Sequence, residues 1–242
     1  MLQETIDRSY KVFAKYKPER PLDVCTDCCM TLEEENTLAT LPLKEITAEF
    51  LAKYNDSAKP DKTSIDEVKY FLPRYFDLIG QFRFPSHSAE LSFSRLIPFD
   101  KSEWTVQELE LLKQFSTDFF NYCLTVYPIP AFNERIDSIL IMLWSGGFDI
   151  SNLLNHWQND TGKESILHFR DLYRHGFNQN NPTKLSNSFG DKELADLLRH
   201  WIQQVDVKNV FAEAIEKLIL EEVQLEETDG YELNLLYEQL KA

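Results

Sequence analysis

Three of the four cysteines in this 242-residue chain lie within five positions, in the stretch DVCTDCCM at 23–30. Cys25 and Cys28 have the C-x2-C spacing with which two thiolates bind one zinc ion, and Cys29 adds a third sulfur. The same spacing occurs in redox-active pairs, which usually follow a strand and begin a helix. A third interpretation is structural, because small thiols pack well where chain segments cross.

The surroundings of these cysteines favour the packing interpretation. A structural zinc site needs four ligands, and the sequence has no second close pair of cysteines or histidines. A proline-containing loop precedes the cysteines, whereas a redox pair usually has a strand before it. We therefore expect no cofactor, and we keep a metal site at Cys25, Cys28 and Cys29 as the alternative.

Other patterns that could support catalysis are weaker. Ser145 precedes Gly146 and Gly147, but a nucleophile elbow reads G-x-S-x-G after a strand, and a helical pattern precedes this serine. His168 and His175 fall on nearly the same helix face, yet two turns separate them, which is far for shared work on one proton. The sequence contains no H-E-x-x-H motif, phosphate loop or dinucleotide motif. We predict that the protein is not an enzyme, and we assign no catalytic residue.

The chain is strongly acidic, with a net charge of −15, and residues 191–242 carry 13 acidic and 5 basic side chains. This charge repels a phosphate backbone, which argues against direct nucleic-acid binding, and it attracts a basic protein. Aromatic residues among the acids are suited to anchor an interface, although a solvated helix face would give the same composition. The predicted partner-binding residues are Glu221, Glu222, Glu226, Glu227, Asp229 and Tyr231.

The elements that must position these residues are helical. Apolar residues recur at helical spacing nearly throughout, glycine is rare, and no alternating strand pattern is longer than a few residues. We predict an all-α fold of roughly ten to twelve helices packed as antiparallel hairpins, and an irregular α-solenoid remains compatible. We expect a single domain over 1–242, and any weak boundary would fall in the loop at 177–190.

Local signals place several helix ends. Capping-box patterns, in which a Ser or Thr precedes a Glu by three positions, occur at Thr31, Ser64 and Thr105. Thr47 is placed to cap a further helix. Pro73 lies inside a helical pattern, so we expect a break or a kink there. We expect another helix in the stretch SAELSFSRL at 88–96.

The sequence also indicates where the protein acts. It has no run of about 18 apolar residues, and its first residues lack the basic start and apolar centre of a signal peptide. Four unevenly spaced cysteines without an export signal favour a reducing compartment. We therefore expect a cytoplasmic protein that does not associate with a membrane.

Three segments in the first half of the chain occur in a familiar order: CTDCC, then LPLKEITAEFLAKY, then KYFLPRYFDLI. This order resembles a widespread family of uncharacterised bacterial proteins that carry a C-x-x-C-type cluster, a "PL+E" segment and an "FLPR" helix. No catalytic residue is established for that family, so the resemblance assigns none here.

In type, the chain also resembles the immunity proteins of bacterial contact-dependent growth inhibition systems, which are cytoplasmic, often acidic, and bind a cognate toxin domain. This resemblance implies a toxin inhibitor, an antitoxin that occludes the basic cleft of a cationic toxin domain such as a nuclease. The alternatives are a zinc- or thiol-dependent protein built on Cys25, Cys28 and Cys29, and a plain helical scaffold.

Overall fold

The computed structural model describes residues 1–58, 64–96, 100–221 and 226–241, except for the side chain of Glu227. Within these ranges eleven α-helices form, which confirms the all-α prediction. None of the helices in the described ranges is both long and apolar enough to cross a membrane. The helices are α1 Leu2–Val12, α2 Leu32–Thr40, α3 Ala48–Asp56, α4 Ile65–Ile79, α5 Val106–Cys123, α6 Ile136–Ser145, α7 Ile150–Trp157, α8 Lys163–His175, α9 Lys192–Gln203, α10 Val205–Leu220 and α11 Glu227–Lys241.

Short elements connect some of these helices. Single 3-10 turns cover Leu43–Glu45, Ala89–Leu91, Ser94–Leu96 and Lys101–Glu103. Strands β1 (Phe177–Asn178) and β2 (Asn181–Leu185) form an antiparallel hairpin inside the segment that the sequence indicated as a loop. The Asn178 side chain closes this hairpin, because its Oδ1 accepts the N–H groups of Asn180 and Asn181.

Two of the three predicted capping boxes are present. The Thr31 side chain accepts the Glu34 N–H while Glu34 accepts the Thr31 N–H, and Thr105 and Glu108 exchange the same two bonds. Ser64 makes no side-chain capping bond, so the prediction of a capping box there is wrong. Thr47 caps α3 as expected, by accepting the Phe50 N–H.

Helix α4 continues through Pro73 without a break, and the kink that was the other expectation there stays a prediction. Proline removes a single N–H, and the close packing of this buried helix compensates for the lost bond. Residues 88–96 were expected to form a helix, but they form two separate 3-10 turns.

Contacts divide the chain into two compact units, one comprising Met1–Phe119 and Ser145–Phe148, the other Phe120–Trp144 and Asp149–Ala242. The loop at 177–190 lies inside the second unit. The single domain stays a prediction.

The first unit is built around a cluster of phenylalanines. Phe76 of α4 stacks on Phe115 of α5, with ring centroids 3.8 Å apart, and Phe93 packs against both rings edge-on. Such pairs add about 0.5–1.5 kcal/mol beyond the burial of their area. This core fixes α4 and α5, and with them the charged residues that these helices carry.

The second unit has its own aromatic centre. Phe169 of α8 stacks on Phe211 of α10 with centroids 3.7 Å apart, and Trp157 and Trp201 close the cluster at 5.2 Å from each other. Trp157 and Phe211 are fully buried. The helices α7 to α10 therefore meet at one hydrophobic centre.

Candidate functional site

The three clustered cysteines, the thiol trio of Cys25, Cys28 and Cys29, converge in the first unit. The Cys28 sulfur lies 3.3 Å from the sulfur of Cys25 and 3.3 Å from that of Cys29. All three Sγ atoms lie within 4.8 Å of one another, and in the described ranges no other group of three Cys, His, Asp or Glu side chains does so. Three sulfurs this close together could hold one soft metal ion.

A tight loop brings the three sulfurs to one place. The N–H groups of Cys29 and Met30 both donate to the carbonyl of Cys25, at 3.3 and 3.1 Å. The Cys25 N–H donates to the Ser57 hydroxyl at 2.9 Å, which attaches this loop to the end of α3. The C-x2-C spacing is therefore used in a turn, and none of the three cysteines lies in a helix or strand.

The surroundings of the thiol trio shift the pKa values of Cys28 and Cys29 in opposite directions. The Ala58 N–H, which donates to the Cys29 sulfur, is the main cause that lowers the pKa of Cys29. Hydrogen bonding with Cys25 and then with Cys29 raises the pKa of Cys28 to about 12, and charge repulsion from the same two sulfurs acts in the same direction. A cation bound among the sulfurs would remove this repulsion and favour the fully deprotonated trio.

A buried arginine holds the two segments that meet at the trio. Arg95 is 2% exposed, and its guanidinium donates to the carbonyls of Asp23 (3.0 Å) and Tyr54 (3.0 Å from Nε). It also lies 3.8 Å from the Asp23 carboxylate and 3.5 Å from the Ser57 carbonyl. Arg95 thus joins the cysteine loop to the end of α3.

A buried glutamate makes a second connection between the same segments. Glu67 of α4 accepts the Asp23 N–H at 3.2 Å and the Tyr54 hydroxyl at 2.8 Å. Burial raises the pKa of Glu67, against the effect of these hydrogen bonds. In the sequence, Glu67 is part of a capping-box pattern, and nothing distinguishes Arg95 from a surface residue, because isolated charges are usually exposed.

A cavity of about 480 Å³, the Cys29 cavity, opens beside the trio. Its apolar wall comprises Ala48 and Ala52, one turn apart on α3, together with Phe84. Cys29 and His87 lie at its polar part, and its remaining lining residues are Glu49, Lys53, Asp56, Ser57 and Ser86.

Asp56 orients His87 at this cavity. The Asp56 carboxylate accepts the His87 N–H at 2.8 Å, lies 3.0 Å from the His87 Nδ1, and accepts the Ser86 hydroxyl at 2.7 Å. Partial burial opposes ionisation of Asp56, but hydrogen bonds from Ser86, Asn55 and His87 lower its pKa. The two contacts with Asp56 therefore fix the orientation of the imidazole ring at this cavity. Because 31 residues separate Asp56 and His87, no local sequence pattern indicates this pair.

The predicted partner-binding residues are only partly available to a partner. Glu226 and Tyr231 are exposed, and Tyr231 keeps 66% of its surface accessible. Glu221 is exposed as well, 3.7 Å from Lys217. Two glutamates of the set cannot be placed in this way. Glu222 lies outside the described residues, and the side chain of Glu227 is not described.

Asp229, the remaining member of that set, has a partner within its own unit. Its carboxylate lies 2.5 Å from the guanidinium of Arg170, a buried residue of α8. Asp171 and Glu232 also pair with Arg170, at 2.8 and 3.4 Å, and the Tyr127 hydroxyl accepts a further hydrogen bond from it. Asp229 is therefore engaged in an ion pair within its own unit, although the three carboxylates together outweigh the single positive charge of Arg170.

The weaker catalytic candidates do not come together. His168 is buried, and its Nε2 lies within hydrogen-bonding distance of the carbonyls of Cys123 and Val126, whereas His175 is exposed. Ser145 is the last residue of α6, and Gly147 has a φ of 78°, as expected where glycine ends a helix.

Comparison with protein-family models, with curated proteins and with solved structures found no match to this chain.

Proposed function

We propose that the protein binds a thiophilic divalent cation, Zn²⁺ above all, through Cys25, Cys28 and Cys29. The observation that carries this proposal is the convergence of three sulfurs within 4.8 Å of one another. Sulfurs around a tetrahedral zinc ion lie about 3.8 Å apart, since each Zn–S bond is about 2.3 Å long. The distances within the thiol trio are close to this geometry.

The exposure of the trio supports metal binding over packing. A thiol that serves only to fill space is normally buried, as Cys123 is in the second unit. Cys28 is exposed, and Cys25 and Cys29 are partly exposed, so the trio buries little apolar surface. Packing alone therefore gives no reason for three thiols at this place.

The trio also differs from a typical dithiol redox centre. Such a centre uses two thiols and usually places one at a helix N-terminus, which lowers its pKa. Here three sulfurs lie in a turn, and the hydrogen bond from the Ala58 N–H serves to stabilise one thiolate. A backbone N–H donated to a sulfur is also the kind of outer interaction that orients a metal ligand.

The metal content of the purified protein tests this proposal. We expect about one zinc per chain, and we expect Cys25→Ser, Cys28→Ser and Cys29→Ser each to reduce it, because a site with two thiolates binds zinc far more weakly. Cys123→Ala is the matched control, since this cysteine lies apart from the trio and should leave the zinc content unchanged. Zinc content that does not depend on the trio cysteines would refute the proposal.

A second candidate function, the toxin-neutralising immunity protein, is favoured by the outer face of α10. Asp206, Glu213 and Glu216 are exposed there and have no cationic partner within the described part of the chain, and Leu220 beyond them is 75% exposed. Unpaired carboxylates next to an apolar residue suit a cationic protein surface, with charge increasing the association rate. On this proposal, the acidic face would occlude the basic cleft of a toxin domain.

Protection of growing cells tests this second candidate. If a toxin domain is encoded beside the gene, co-expression of this protein should prevent growth arrest, and combined Asp206→Lys, Glu213→Lys and Glu216→Lys should abolish protection. Reversal of three exposed acids elsewhere, Glu19, Asp66 and Glu110, gives a control of equal net charge. Equal loss in both variants would exclude α10 as the docking face.

A further inference from the structure

The Cys29 cavity lies where a molecule could reach a metal held by the thiol trio. We infer that this cavity binds a small thiol, whose sulfur becomes the fourth ligand of the metal. The inference rests on the proposed metal site, and it adds the class of ligand that the site takes.

The fourth coordination position has no protein ligand in the described part of the chain. In the ranges that the structure describes, no histidine, aspartate or glutamate joins the three sulfurs within 4.8 Å. Cys29 belongs both to the trio and to the lining of the cavity of about 480 Å³. Sites with three protein ligands keep the fourth position for water or substrate.

The cavity walls match a molecule with a short apolar part and a polar end. Ala48, Ala52 and Phe84 provide the apolar surface, whereas His87 and Ser86 provide the polar part. A volume of about 480 Å³ lies within the usual range for small-molecule sites. A short alkyl or aryl group would lie against α3 with its polar atom directed to Cys29.

The softness of the metal selects sulfur as that polar atom. A thiophilic cation held by thiolates prefers a further sulfur ligand to an oxygen ligand. Soft thiolate sulfur remains a good ligand for zinc in such a site, whereas an alcohol oxygen does not. A thiol is therefore the class of molecule expected at the fourth position.

His87 adds a polar contact for the bound thiol at the cavity wall. The bond between the thiol sulfur and the metal would form as the S–H bond breaks, and the proton would leave to solvent. Any water in the fourth position would leave unchanged, so no oxidant or reductant takes part. Asp56 holds the His87 ring in place, because its carboxylate lies 3.0 Å from Nδ1.

Titration of the Co²⁺-loaded protein with 1-propanethiol tests this inference. We expect the sulfur-to-cobalt charge-transfer absorption to increase and saturate, because a further thiolate joins the metal, and we expect 1-propanol to leave the spectrum unchanged. Ala52→Phe fills the cavity and should weaken propanethiol binding at least about tenfold, or roughly 1.4 kcal/mol, without changing Co²⁺ affinity. Ala14→Phe, at an exposed position outside the cavity lining, is the matched control.

His87→Ala provides the second variant, since the His87 side chain is 65% exposed and its replacement should not affect folding. It should also weaken propanethiol binding about tenfold while Co²⁺ affinity stays the same. Circular dichroism checks that each variant is folded. A chain that takes up no Co²⁺ overturns both this inference and the metal proposal. Bound Co²⁺ with no response to propanethiol, or equal binding in Ala52→Phe and the parent, overturns this inference alone.

Discussion

At the scale of single residues, the position of the thiol trio depends on Arg95. This buried guanidinium contacts both the cysteine loop and the end of α3, so Arg95→Met removes both connections at once. We expect the free energy of unfolding to fall by about 3 kcal/mol or more, because the Asp23 and Tyr54 carbonyls lose their charged donor. Urea denaturation measures this change.

The control for Arg95 is Arg83→Met. Arg83 is 47% exposed and lies 3.5 Å from Glu49, an ion pair worth little in water. Its replacement should change the free energy of unfolding by less than about 0.5 kcal/mol. Similar losses in both variants would mean that Arg95 has no special structural role. Zinc affinity should fall in Arg95→Met, because the loop that carries the ligands becomes less ordered.

At the scale of elements, helix α5 begins at a buried charge centre. Glu108 completes the capping box with Thr105, and its fully buried carboxylate also lies 2.9 Å from the Lys69 ammonium and 2.5 Å from the Tyr16 hydroxyl. Although burial acts in the opposite direction, hydrogen bonds from Tyr16, Thr105 and Lys69 lower the pKa of Glu108 to about 2. One side chain therefore caps the start of a helix and is the counter-ion of a buried lysine.

This arrangement predicts a specific dependence of stability on pH. Because the folded pKa of Glu108 lies below the unfolded value of about 4.3, its contribution is complete above that pH and is lost as the pH falls toward 2. Glu108→Gln should cost about 3 kcal/mol at pH 7, since Lys69 loses its counter-ion. The difference between variant and parent should then shrink between pH 5 and pH 2.

Glu110→Gln, two residues further along α5 and exposed, is the control and should lower stability by less than about 0.5 kcal/mol. Thermal or urea unfolding across this pH range measures both variants. If the cost of Glu108→Gln is the same at pH 2 as at pH 7, the charge on Glu108 is not what stabilises the start of α5.

The sequence predicted the elements better than the site, for a physical reason. Helix ends depend on neighbours three or four residues apart, so Thr31, Thr47 and Thr105 could be placed from local patterns. The proximity of the three thiols also follows from short spacing. The capping box predicted at Ser64 is absent, and long-range contacts are involved. Glu67, the other residue of the expected box, instead accepts hydrogen bonds from Asp23 and Tyr54, which lie far from it in the sequence.

At the scale of the whole molecule, contacts between residues far apart in the sequence explain why the buried charged residues could not be predicted. Arg95, Glu67 and Glu108 are charged residues that composition alone assigns to the surface, yet all three are buried and paired. His87 meets Asp56 across 31 residues, and Asp229 meets Arg170 across 59. Such contacts arise only after the helices pack, and they turn some of the acidic charge inward. The net charge of −15 is therefore an incomplete guide to the surface.

The division of the chain into two units gives the last prediction, which separates metal binding from a general effect of zinc on the protein. Trp104 is the tryptophan of the first unit, and Trp144, Trp157 and Trp201 belong to the second. With Zn²⁺ at about 100 times its dissociation constant, binding to the folded trio should add roughly 2.7 kcal/mol to stability. Fluorotryptophan labelling and fluorine NMR follow the thermal unfolding of each tryptophan separately.

We expect Zn²⁺ to raise the unfolding midpoint that Trp104 reports, and we expect Cys29→Ser to abolish this rise. If the chain is a single domain, the three tryptophans of the second unit will shift by the same amount, because one cooperative transition has one midpoint. A shift confined to Trp104 would instead identify two independently unfolding domains. A shift that persists in Cys29→Ser would show that zinc acts elsewhere, because mass action requires the stabilising ligand to bind at the site that the substitution removes.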